Sequence, residues 1–404
     1  MRILALTNLY PSPLLPHRAP YNRQQFRILS EMHPLRVIAP VLWTDEWAAY
    51  RQALPSLPAG RRVVHDGLTV DHPRYWYPPK ILRGLYGRCF LASVRATFER
   101  VVREFNPEVI FAPWAYPDGY AAVQLAKSVG LPAVVQVHGS DIRELTRYRG
   151  RASGTATAVR EADGVIAVSS DLAEKVIALG ATRRRVQVVI DGVDRRAFCP
   201  GSKSEARQRL HFSSGTKHLL FVGSLVPVKG LDVLLAACRQ LAAAVGPWQL
   251  HLVGDGPQRR RLAQLAASYG LESQVVFHGS VPHADLPDWF RAADVFVLPS
   301  RSEGVPNVLL EAAACGVPFV ASAVGGIPEI AGLGASRLVP PEQPLPLAEA
   351  LAAMLQAPPP PGPGPRDRRD AVSEIAVFLQ RFAAMRGEPE LLTASPLTYS
   401  STRC

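Results

Sequence analysis

Short apolar runs alternate with longer stretches of helical spacing along most of the chain. The runs are rich in β-branched and aromatic residues, which favour strands. They predict strands near residues 2–7, 35–40, 108–112, 133–137, 164–168 and 186–190, and again near 218–223, 248–253, 275–278, 294–298, 318–321 and 337–339. Strands that alternate with helices are typical of parallel sheets. The pattern therefore predicts an α/β protein with two doubly wound, Rossmann-like domains.

The length of 404 residues suits two domains, and turn residues after residue 190 predict that the chain crosses between them near residue 200. A later run of prolines and glycines marks a spacer that can form neither a helix nor a central strand. Apolar residues at helical spacing follow it and predict a helix that returns to the first domain. The predicted parts are a first domain at 1–199, a second at 200–356, a linker at 357–365, the return helix at 370–386 and a disordered tail at 388–404.

Composition narrows the class of protein. Apolar residues make up 48% of the chain, as in folded globular proteins. No apolar run is long enough for a membrane span, and the opening residues MRILALTNLYPSP are typical of a first strand, not of a signal peptide. Five scattered cysteines indicate neither a disulfide framework nor a metal site. The reducing cytoplasm is the expected location.

Positive charge is concentrated in the first half of the chain. Residues 1–200 hold 27 Lys and Arg against 17 Asp and Glu, whereas residues 201–404 hold 18 against 17. Such a domain either meets an anionic partner, such as a phospholipid surface, a diphosphate-linked lipid or nucleic acid, or carries a solvated arginine-rich surface. Basic and aromatic residues mixed at 72–104 predict an amphipathic helix, which either lies on an anionic membrane or packs as an ordinary surface helix.

Two glutamates, Glu303 and Glu311, stand on either side of a predicted strand-to-helix turn. The preceding apolar run is typical of a buried parallel strand, and Pro306 suits the first turn of a helix that ends before Gly316. Glu303 is therefore expected on the loop at the carboxyl end of the strand, and Glu311 further along the helix. An ordinary βα unit would also accommodate this spacing, so the spacing alone leaves a structural role open.

The start of the same helix is a candidate anion site. The first amides of a helix lack intrahelical acceptors, and the positive end of the helix dipole lies beside them. Here those amides belong to Asn307, Val308 and Leu309. They predict a seat for a diphosphate or another anion.

Two glycine-containing loops follow predicted strands of the second domain. The first contains Gly223, Ser224 and Lys229, and it combines a glycine that allows close backbone approach with a lysine that suits a diphosphate. The second contains Gly254 and Gly256, but it lacks the further glycine of a dinucleotide fingerprint, so a nicotinamide cofactor is not indicated. Taken alone, each loop is equally consistent with a tight turn.

The first domain contributes a histidine turn, in which His138 and Asp141 follow a predicted strand. A lone histidine is more often satisfied within a core, but the glycine and aspartate at the carboxyl end of a strand favour a functional site. Asn8, which follows the first predicted strand, and Asp141 are the candidates for contact with an acceptor.

Together these segments resemble family 4 of the retaining glycosyltransferases. The resemblance rests on EGVPNVLLEAAACGVPFVAS and VGGIPEI around the two glutamates, on the turns at 138–141 and 254–256, and on DGVD at 191–194. It implies the GT-B fold, in which two Rossmann-like domains face each other across a cleft. It also implies metal-independent transfer of a sugar from a nucleotide-diphosphate sugar, of the UDP or GDP type, with no other cofactor. The expected acceptor is lipid-linked or a polysaccharide of the cell envelope or an exopolysaccharide, reached from the inner face of the cytoplasmic membrane.

The resemblance also implies a role for each candidate residue. The implied roles are ribose binding by Glu311, diphosphate binding by Lys229 and the amides of Asn307 and Val308, orientation of the donor sugar by Glu303, and closure of the site by His138. The chain departs from the family at Ser224, where an arginine usually accompanies the lysine. Arg301 is a candidate to replace that charge.

Two other functions fit the same sequence. A nucleotide-sugar epimerase would share the architecture and need no acceptor. A basic scaffold that binds membranes or nucleic acid, with an inactive site, would tolerate the serine at 224. No segment resembles a known nucleic-acid-binding motif.

Overall fold

A computed structural model describes residues 1–16, 18–53, 56–79, 83–144, 146, 148–241 and 245–384. Its strands are β1 (Ile3–Leu6), β2 (Leu35–Ile38), β3 (Val41–Leu42), β4 (Arg62–His65), β5 (Leu68–Asp71), β6 (Arg74–Tyr75), β7 (Val109–Ala112), β8 (Ala133–Val137), β9 (Gly164–Ala167), β10 (Val186–Val188), β11 (Lys217–Val222), β12 (Trp248–Val253), β13 (Val275–Gly279), β14 (Val295–Leu298), β15 (Phe319–Ser322) and β16 (Ser336–Val339).

The α-helices alternate with these strands, as a doubly wound fold requires. They are α1 (Pro20–Met32), α2 (Trp43–Arg51), α3 (Tyr86–Phe105), α4 (Tyr120–Ser128), α5 (Ser140–Arg143), α6 (Arg149–Glu161), α7 (Ser170–Ala178), α8 (Lys203–Arg209), α9 (Leu231–Leu241), α10 (Arg259–Ser268), α11 (Leu286–Ala292), α12 (Asn307–Ala314), α13 (Ile327–Ile330), α14 (Pro344–Gln356) and α15 (Arg368–Ala384).

Two large sheets organise the fold. The first has the order β10-β9-β8-β7-β1-β2-β5-β4, and the second has the order β13-β12-β11-β14-β15-β16. Every neighbouring pair is parallel except β4 with β5. The strand order reverses beside β1 in the first sheet and beside β11 in the second. In open α/β sheets, ligands bind at the carboxyl ends of the strands near such reversals.

The predicted α/β architecture is confirmed, and each of the predicted strands is present with small shifts at its ends. The sequence pattern missed β3 to β6, which are short strands at or beyond the edge of the first sheet. Only alternate residues of β4 are even half-buried. A mixed, partly exposed strand of this kind lacks the continuous apolar run that marks a central parallel strand.

Both faces of the first sheet are covered by apolar side chains. Leu4 and Leu6 of β1 point into one core, whereas Ile3 and Ala5 point into another, as the alternation of a strand requires. The second of these cores is completed by the last helix, because α15 contributes Val372, Ile375, Phe378 and Leu379, each at most 3% exposed. The helix thus packs on the first domain although it follows the second along the chain.

The chain crosses between the sheets twice, and the two crossing segments pair with each other. Val193 donates its amide to the carbonyl of Arg366 at 3.1 Å, and Arg368 returns a hydrogen bond to the carbonyl of Val193 at 2.9 Å. Gly192 allows this approach, because a Cβ there would lie 2.4 Å from the carbonyl oxygen of Asp367. The predicted tail at 388–404 lies outside the described residues.

The predicted amphipathic helix of residues 72–104 is observed as α3, preceded by β6. Its apolar face is not available to a membrane, since Phe90, Val94, Phe98 and Val101 are completely buried in the first domain. The structure thus favours the ordinary surface helix over the membrane-lying one, although residues 80–82 lie outside the described part. No helix among the described residues is long and apolar enough to cross a membrane.

A hydrogen-bonded chain of three histidines lies on β11 to β13. His218 Nε2 donates to the carbonyl of Ser213 at 2.9 Å, so its Nδ1 accepts from His251 Nε2, also at 2.9 Å. His251 Nδ1 in turn accepts from His278 Nε2 at 3.0 Å. Burial lowers the pKa of all three rings, and that of His251 falls to about 3. The three imidazole rings are therefore neutral at physiological pH.

Candidate active site

The two glutamates are placed by the turn between β14 and α12. Pro306 occupies the N-cap position of α12, so the helix begins at Asn307. Glu303 lies on the loop before it, and Glu311 lies within the helix and is 3% exposed. The strand-to-helix arrangement agrees with the sequence prediction.

Glu303 is joined to the lysine loop of the neighbouring strand. Lys229 Nζ donates to Glu303 Oε1 at 2.6 Å, and Ser300 Oγ donates to the same oxygen at 2.6 Å. Lys229 follows β11 and Glu303 follows β14, and these strands are neighbours in the second sheet. The ammonium and the carboxylate are both mostly buried, at 21% and 11% side-chain exposure. An anion that approaches Lys229 would therefore compete with Glu303 for the hydrogen bonds that the ammonium group donates.

Glu311 is paired with a histidine that the sequence analysis missed. His283 Nε2 lies 2.8 Å from Glu311 Oε1, and the imidazole packs on Phe198 with ring centroids 5.1 Å apart. His283 belongs to a short turn after β13. Its place just after the carboxyl end of a predicted strand was the available signal, since such positions share the edge of the sheet that carries the site.

The start of α12 retains unpaired polar groups. Within the described residues, the amides of Asn307 and Val308 donate to no protein acceptor, and Asn307 Oδ1 is buried without a partner. The expectation for Leu309 is corrected, because its amide donates to the carbonyl of Pro306 at 3.0 Å and closes a turn. Two amides at the start of α12, not three, thus remain without a protein acceptor among the described residues.

The glycine loops pack on each other. Gly254 has a φ of +134°, and a Cβ there would lie 2.0 Å from the carbonyl oxygen of Gly223. A Cβ on Gly256 would lie 2.6 Å from the carbonyl oxygen of Leu225. These two glycines are therefore required by the close approach of the loops. Ser224, which follows Gly223 along the chain, is exposed.

Arg301 does not replace the arginine that is absent at Ser224. Its Nη2 pairs with Asp232 at 2.9 Å, and the guanidinium also pairs with Glu342. The hydrogen bonds that Arg301 donates to these two carboxylates raise its pKa. A guanidinium already held by two carboxylates adds little positive charge to the cleft.

His138 lies in the first domain between two aromatic rings. Its imidazole stacks on Trp114 with centroids 6.2 Å apart and tilts against Tyr21 at 5.5 Å. Nε2 is buried and has no partner among the described residues.

Asp141 holds the His138 loop from below. Its carboxylate accepts from the amides of His138, Gly139 and Ala115 at 3.1, 2.8 and 3.2 Å. The side chain is completely buried, and burial raises its pKa. Asp141 was predicted to contact an acceptor, but its carboxylate faces the loop backbone and positions that loop instead.

Asn8 is held by a second buried aspartate. Its amide donates to Asp118 Oδ2 at 2.9 Å, and Thr7 Oγ1 donates to the same oxygen at 2.7 Å. Asp118 is completely buried, its Oδ1 has no partner among the described residues, and burial raises its pKa to about 7. Asp118 was not predicted from the sequence, although an aspartate within the mostly apolar 109–123 stretch was a visible signal.

The two domains touch where His138 meets the Glu303 loop. A Cβ on Gly304 would lie 1.9 Å from the carbonyl oxygen of His138, and one on Gly139 would lie 2.9 Å from the amide nitrogen of Gly304. A second contact lies nearby, where the Glu329 carboxylate accepts from the amides of Ser170 and Asp171 at 2.8 and 3.1 Å. The candidate residues of both domains therefore share one cleft. The described residues contain no group of three His, Cys, Asp or Glu that could hold a metal ion.

Family models match both halves of the chain. A model described as Glycosyltransferase Family 4 matches residues 42–197, and one described as Glycosyl transferases group 1 matches residues 216–357. The first match covers β4 to β10 with the His138 loop, and the second covers the whole second sheet with Lys229, Glu303 and Glu311.

Curated relatives match over most of their length. The chain is 32% identical to D-inositol 3-phosphate glycosyltransferase 1 of Catenulispora acidiphila, over 76% of this chain and 77% of that protein. It is 30% identical to TuaC of Bacillus subtilis, a glycosyltransferase assigned to teichuronic acid biosynthesis, over 87% of this chain and 88% of TuaC. Among solved structures, HepE from Anabaena in complex with UDP-glucose has a TM-score of 0.65 at 19% identity, over 96% of this chain and 99% of HepE. That likeness supports the GT-B fold.

Proposed function

Because the chain belongs to family 4 of the glycosyltransferases, we propose that it transfers a sugar from a UDP- or GDP-sugar to a glycan acceptor, with retention of the anomeric configuration. The observation that carries this proposal is the pair of Lys229 and Glu303 at the start of α12, in contact with the His138 loop of the other domain. The site thus combines groups for an anionic leaving group with groups for a sugar.

The donor would lie along the carboxyl edge of the second sheet. Glu311 and His283 form a buried acid and imidazole pair that suits the ribose hydroxyls. Lys229 and the amides of Asn307 and Val308 suit the diphosphate, because helix amides and the helix dipole favour anions. The diphosphate would draw Lys229 away from Glu303. The freed carboxylate of Glu303 then accepts hydrogen bonds from the hydroxyls of the sugar.

The chemical step is the breaking of the bond between the anomeric carbon and the diphosphate oxygen. It leaves an oxocarbenium-like sugar beside an anionic diphosphate, so stabilisation of the leaving group is the main electrostatic task. The acceptor hydroxyl attacks from the face that the diphosphate leaves, and its proton passes to a departing phosphate oxygen. The carbonyl of His138 lies at the domain contact, where it can help to orient the reacting sugar.

The acceptor is proposed to be a lipid-linked or polymeric glycan of the cell envelope. TuaC, which this chain matches over 88% of its length, is the relative that suggests this class of acceptor. The excess of Lys and Arg in residues 1–200 supports a peripheral position at the anionic inner face of the membrane. The inositol phosphate enzyme suggests the other class of acceptor, a small phosphorylated polyol. The relatives give no support to an epimerase or to an inactive scaffold.

The proposal is tested by incubation with a panel of UDP- and GDP-sugars. We expect one of them to release its nucleotide diphosphate slowly in water and faster when a glycan acceptor is added. We expect Glu303→Gln to abolish this release while the nucleotide still binds, because the carboxylate contacts the sugar and not the nucleotide. An unchanged rate in that variant would contradict the role of Glu303. If the parent protein bound none of the nucleotide sugars, that result would contradict the proposed function itself.

A further inference from the structure

A second cavity lies in the first domain, with a volume of about 430 Å³. Ligand pockets commonly span roughly 300–1,000 Å³, so a sugar ring would fit. Its walls come from Leu14 after β1, from helix α2 after β2, from Arg61 beside β4, and from Arg74 and Trp76 after β5. All but Arg61 follow the carboxyl ends of parallel strands, and Arg61 precedes the antiparallel β4, whose start lies at the same edge of the sheet. The cavity therefore opens on the same edge of the sheet that carries Asn8 and the His138 loop.

Three indole rings line the cavity, those of Trp43, Trp47 and Trp76. Trp43 and Trp76 stack with ring centroids 5.8 Å apart, and Trp43 Nε1 donates to the carbonyl of Tyr77 at 2.9 Å. Trp47 and Trp76 are 56% and 55% exposed. A contiguous exposed apolar patch marks an interaction site more often than a plain surface. The flat apolar face of an indole complements the C–H face of a pyranose ring.

Charged groups stand beside the indoles. Glu46 accepts from Arg74 Nε at 2.7 Å and also pairs with Arg61. Two guanidinium groups against one carboxylate leave this wall with a net positive charge. The guanidinium carbon of Arg74 lies 5.2 Å from the centre of the Trp76 ring, which fixes the charge above the aromatic surface. Guanidinium donors match the geometry of a carboxylate.

We propose that this cavity binds a sugar ring of an acidic acceptor glycan, with the ring on Trp47 and its carboxylate on Arg61 and Arg74. The inference rests on the proposed function, because a glycosyltransferase requires an acceptor. The bound ring is not the one that reacts. The cavity lies over β2 and β5, whereas His138 follows β8, on the other side of β1 in the sheet. The cavity therefore holds the glycan one or more rings away from the reacting hydroxyl.

Exposed tryptophans beside arginines also occur at membrane interfaces. The fixed side chains of the cavity favour a sugar over a membrane. Trp43 is held by its hydrogen bond and by its stacking on Trp76, and Glu46 holds both arginines. A membrane anchor would need none of these fixed positions. Vesicle binding is accordingly an outcome of the test below.

The test uses the full chain and two trisaccharides, acidic trigalacturonate and neutral maltotriose, titrated while tryptophan fluorescence and heat are recorded. We expect saturable binding of trigalacturonate, about tenfold tighter than that of maltotriose, because only its carboxylate can accept charge-assisted hydrogen bonds from the guanidinium groups. We expect Trp47→Ala and Arg74→Gln each to weaken binding about tenfold or more. Trp47→Ala should fold normally, since its exposed ring contributes little to folding.

Tyr148→Ala is the matched control, because Tyr148 is an equally exposed aromatic residue of the same domain, at 56%, and does not line the cavity. Three results would overturn the inference: no saturable binding of trigalacturonate, equal affinity for both trisaccharides, or Trp47-dependent binding to phosphatidylglycerol vesicles without sugar binding. UDP and GDP affinities are measured in the same samples. Loss of trisaccharide binding with intact nucleotide binding would remove this inference alone, whereas failure of the parent to bind either nucleotide would remove the proposed function.

Discussion

Replacement of Gly304 by alanine should uncouple nucleotide binding from sugar transfer. The added Cβ would lie 1.9 Å from the carbonyl oxygen of His138, whereas real Cβ atoms essentially never approach closer than 3.0 Å. The two loops must therefore part by about 1 Å. Gly304 has no positive φ, so alanine fits its backbone without strain. The perturbation is confined to the contact between the domains.

A displacement of about 1 Å in a reacting geometry costs on the order of 100-fold in rate. This corresponds to about 2.7 kcal/mol of transition-state stabilisation. We expect the transfer rate of Gly304→Ala to fall by that factor, measured as acceptor-dependent release of nucleotide diphosphate. The affinity for the free nucleotide should stay within about twofold, because the proposed nucleotide contacts lie within the second domain and not at the contact between the domains.

Gly215→Ala is the control, because nothing lies within 4 Å of its added Cβ and it lies in the same domain. It should transfer at the parent rate. Parent-like transfer by Gly304→Ala would refute the reasoning, since it would mean that the contact between Gly304 and His138 has no part in the reactive arrangement. An equal loss of nucleotide affinity would point to a local distortion of the Glu303 loop.

Three further predictions concern charge and protonation. Lys229→Ala should weaken UDP or GDP binding about tenfold or more and leave nucleoside binding unchanged by calorimetry, because the lysine meets only phosphate; equal losses for both would contradict its role. Glu329→Gln should reduce the transfer rate and leave nucleotide affinity intact, since the charged cap on α7 joins the domains; an unchanged rate would argue against that contact. In the folded protein the pKa of His251 is about 3, below the ordinary value of 6.5. As the pH falls, His251 therefore takes up a proton in the unfolded chain before it does so in the folded one. Its contribution to stability is complete above pH 6.5 and falls by about 1.4 kcal/mol per unit as the pH drops toward 3. Chemical denaturation across this range should show the slope, and His251→Gln should reduce it.

The repeating βα pattern was enough to predict the fold, because central parallel strands are buried on both faces and leave continuous apolar runs. The edge strands around residues 62–75 were not predictable in the same way, since their polar and apolar residues are mixed and their pairing depends on β5. The positions of Glu303 and Glu311 around Pro306 could be predicted for a different reason, because the start of a helix follows local sequence rules.

The partners of these groups could not be predicted from local rules. His283 reaches Glu311 only because β13 and α12 are brought to one edge by the strand order, and no sequence spacing encodes that distance. The inward direction of Asp141 depends on three amides from two loops. Such contacts follow from the packed fold and not from the residues beside them along the chain.

The return of α15 to the first domain has a consequence for synthesis on the ribosome. Phe378 and Leu379 fill a core that also contains Ile3, Ala5 and Phe26 from the start of the chain. Domains usually fold in order as they emerge, but the first domain lacks part of its core until α15 has emerged from the ribosome. The second domain is then the first to finish. The first domain must keep an apolar face of its sheet from aggregating while about half of the chain is still being made.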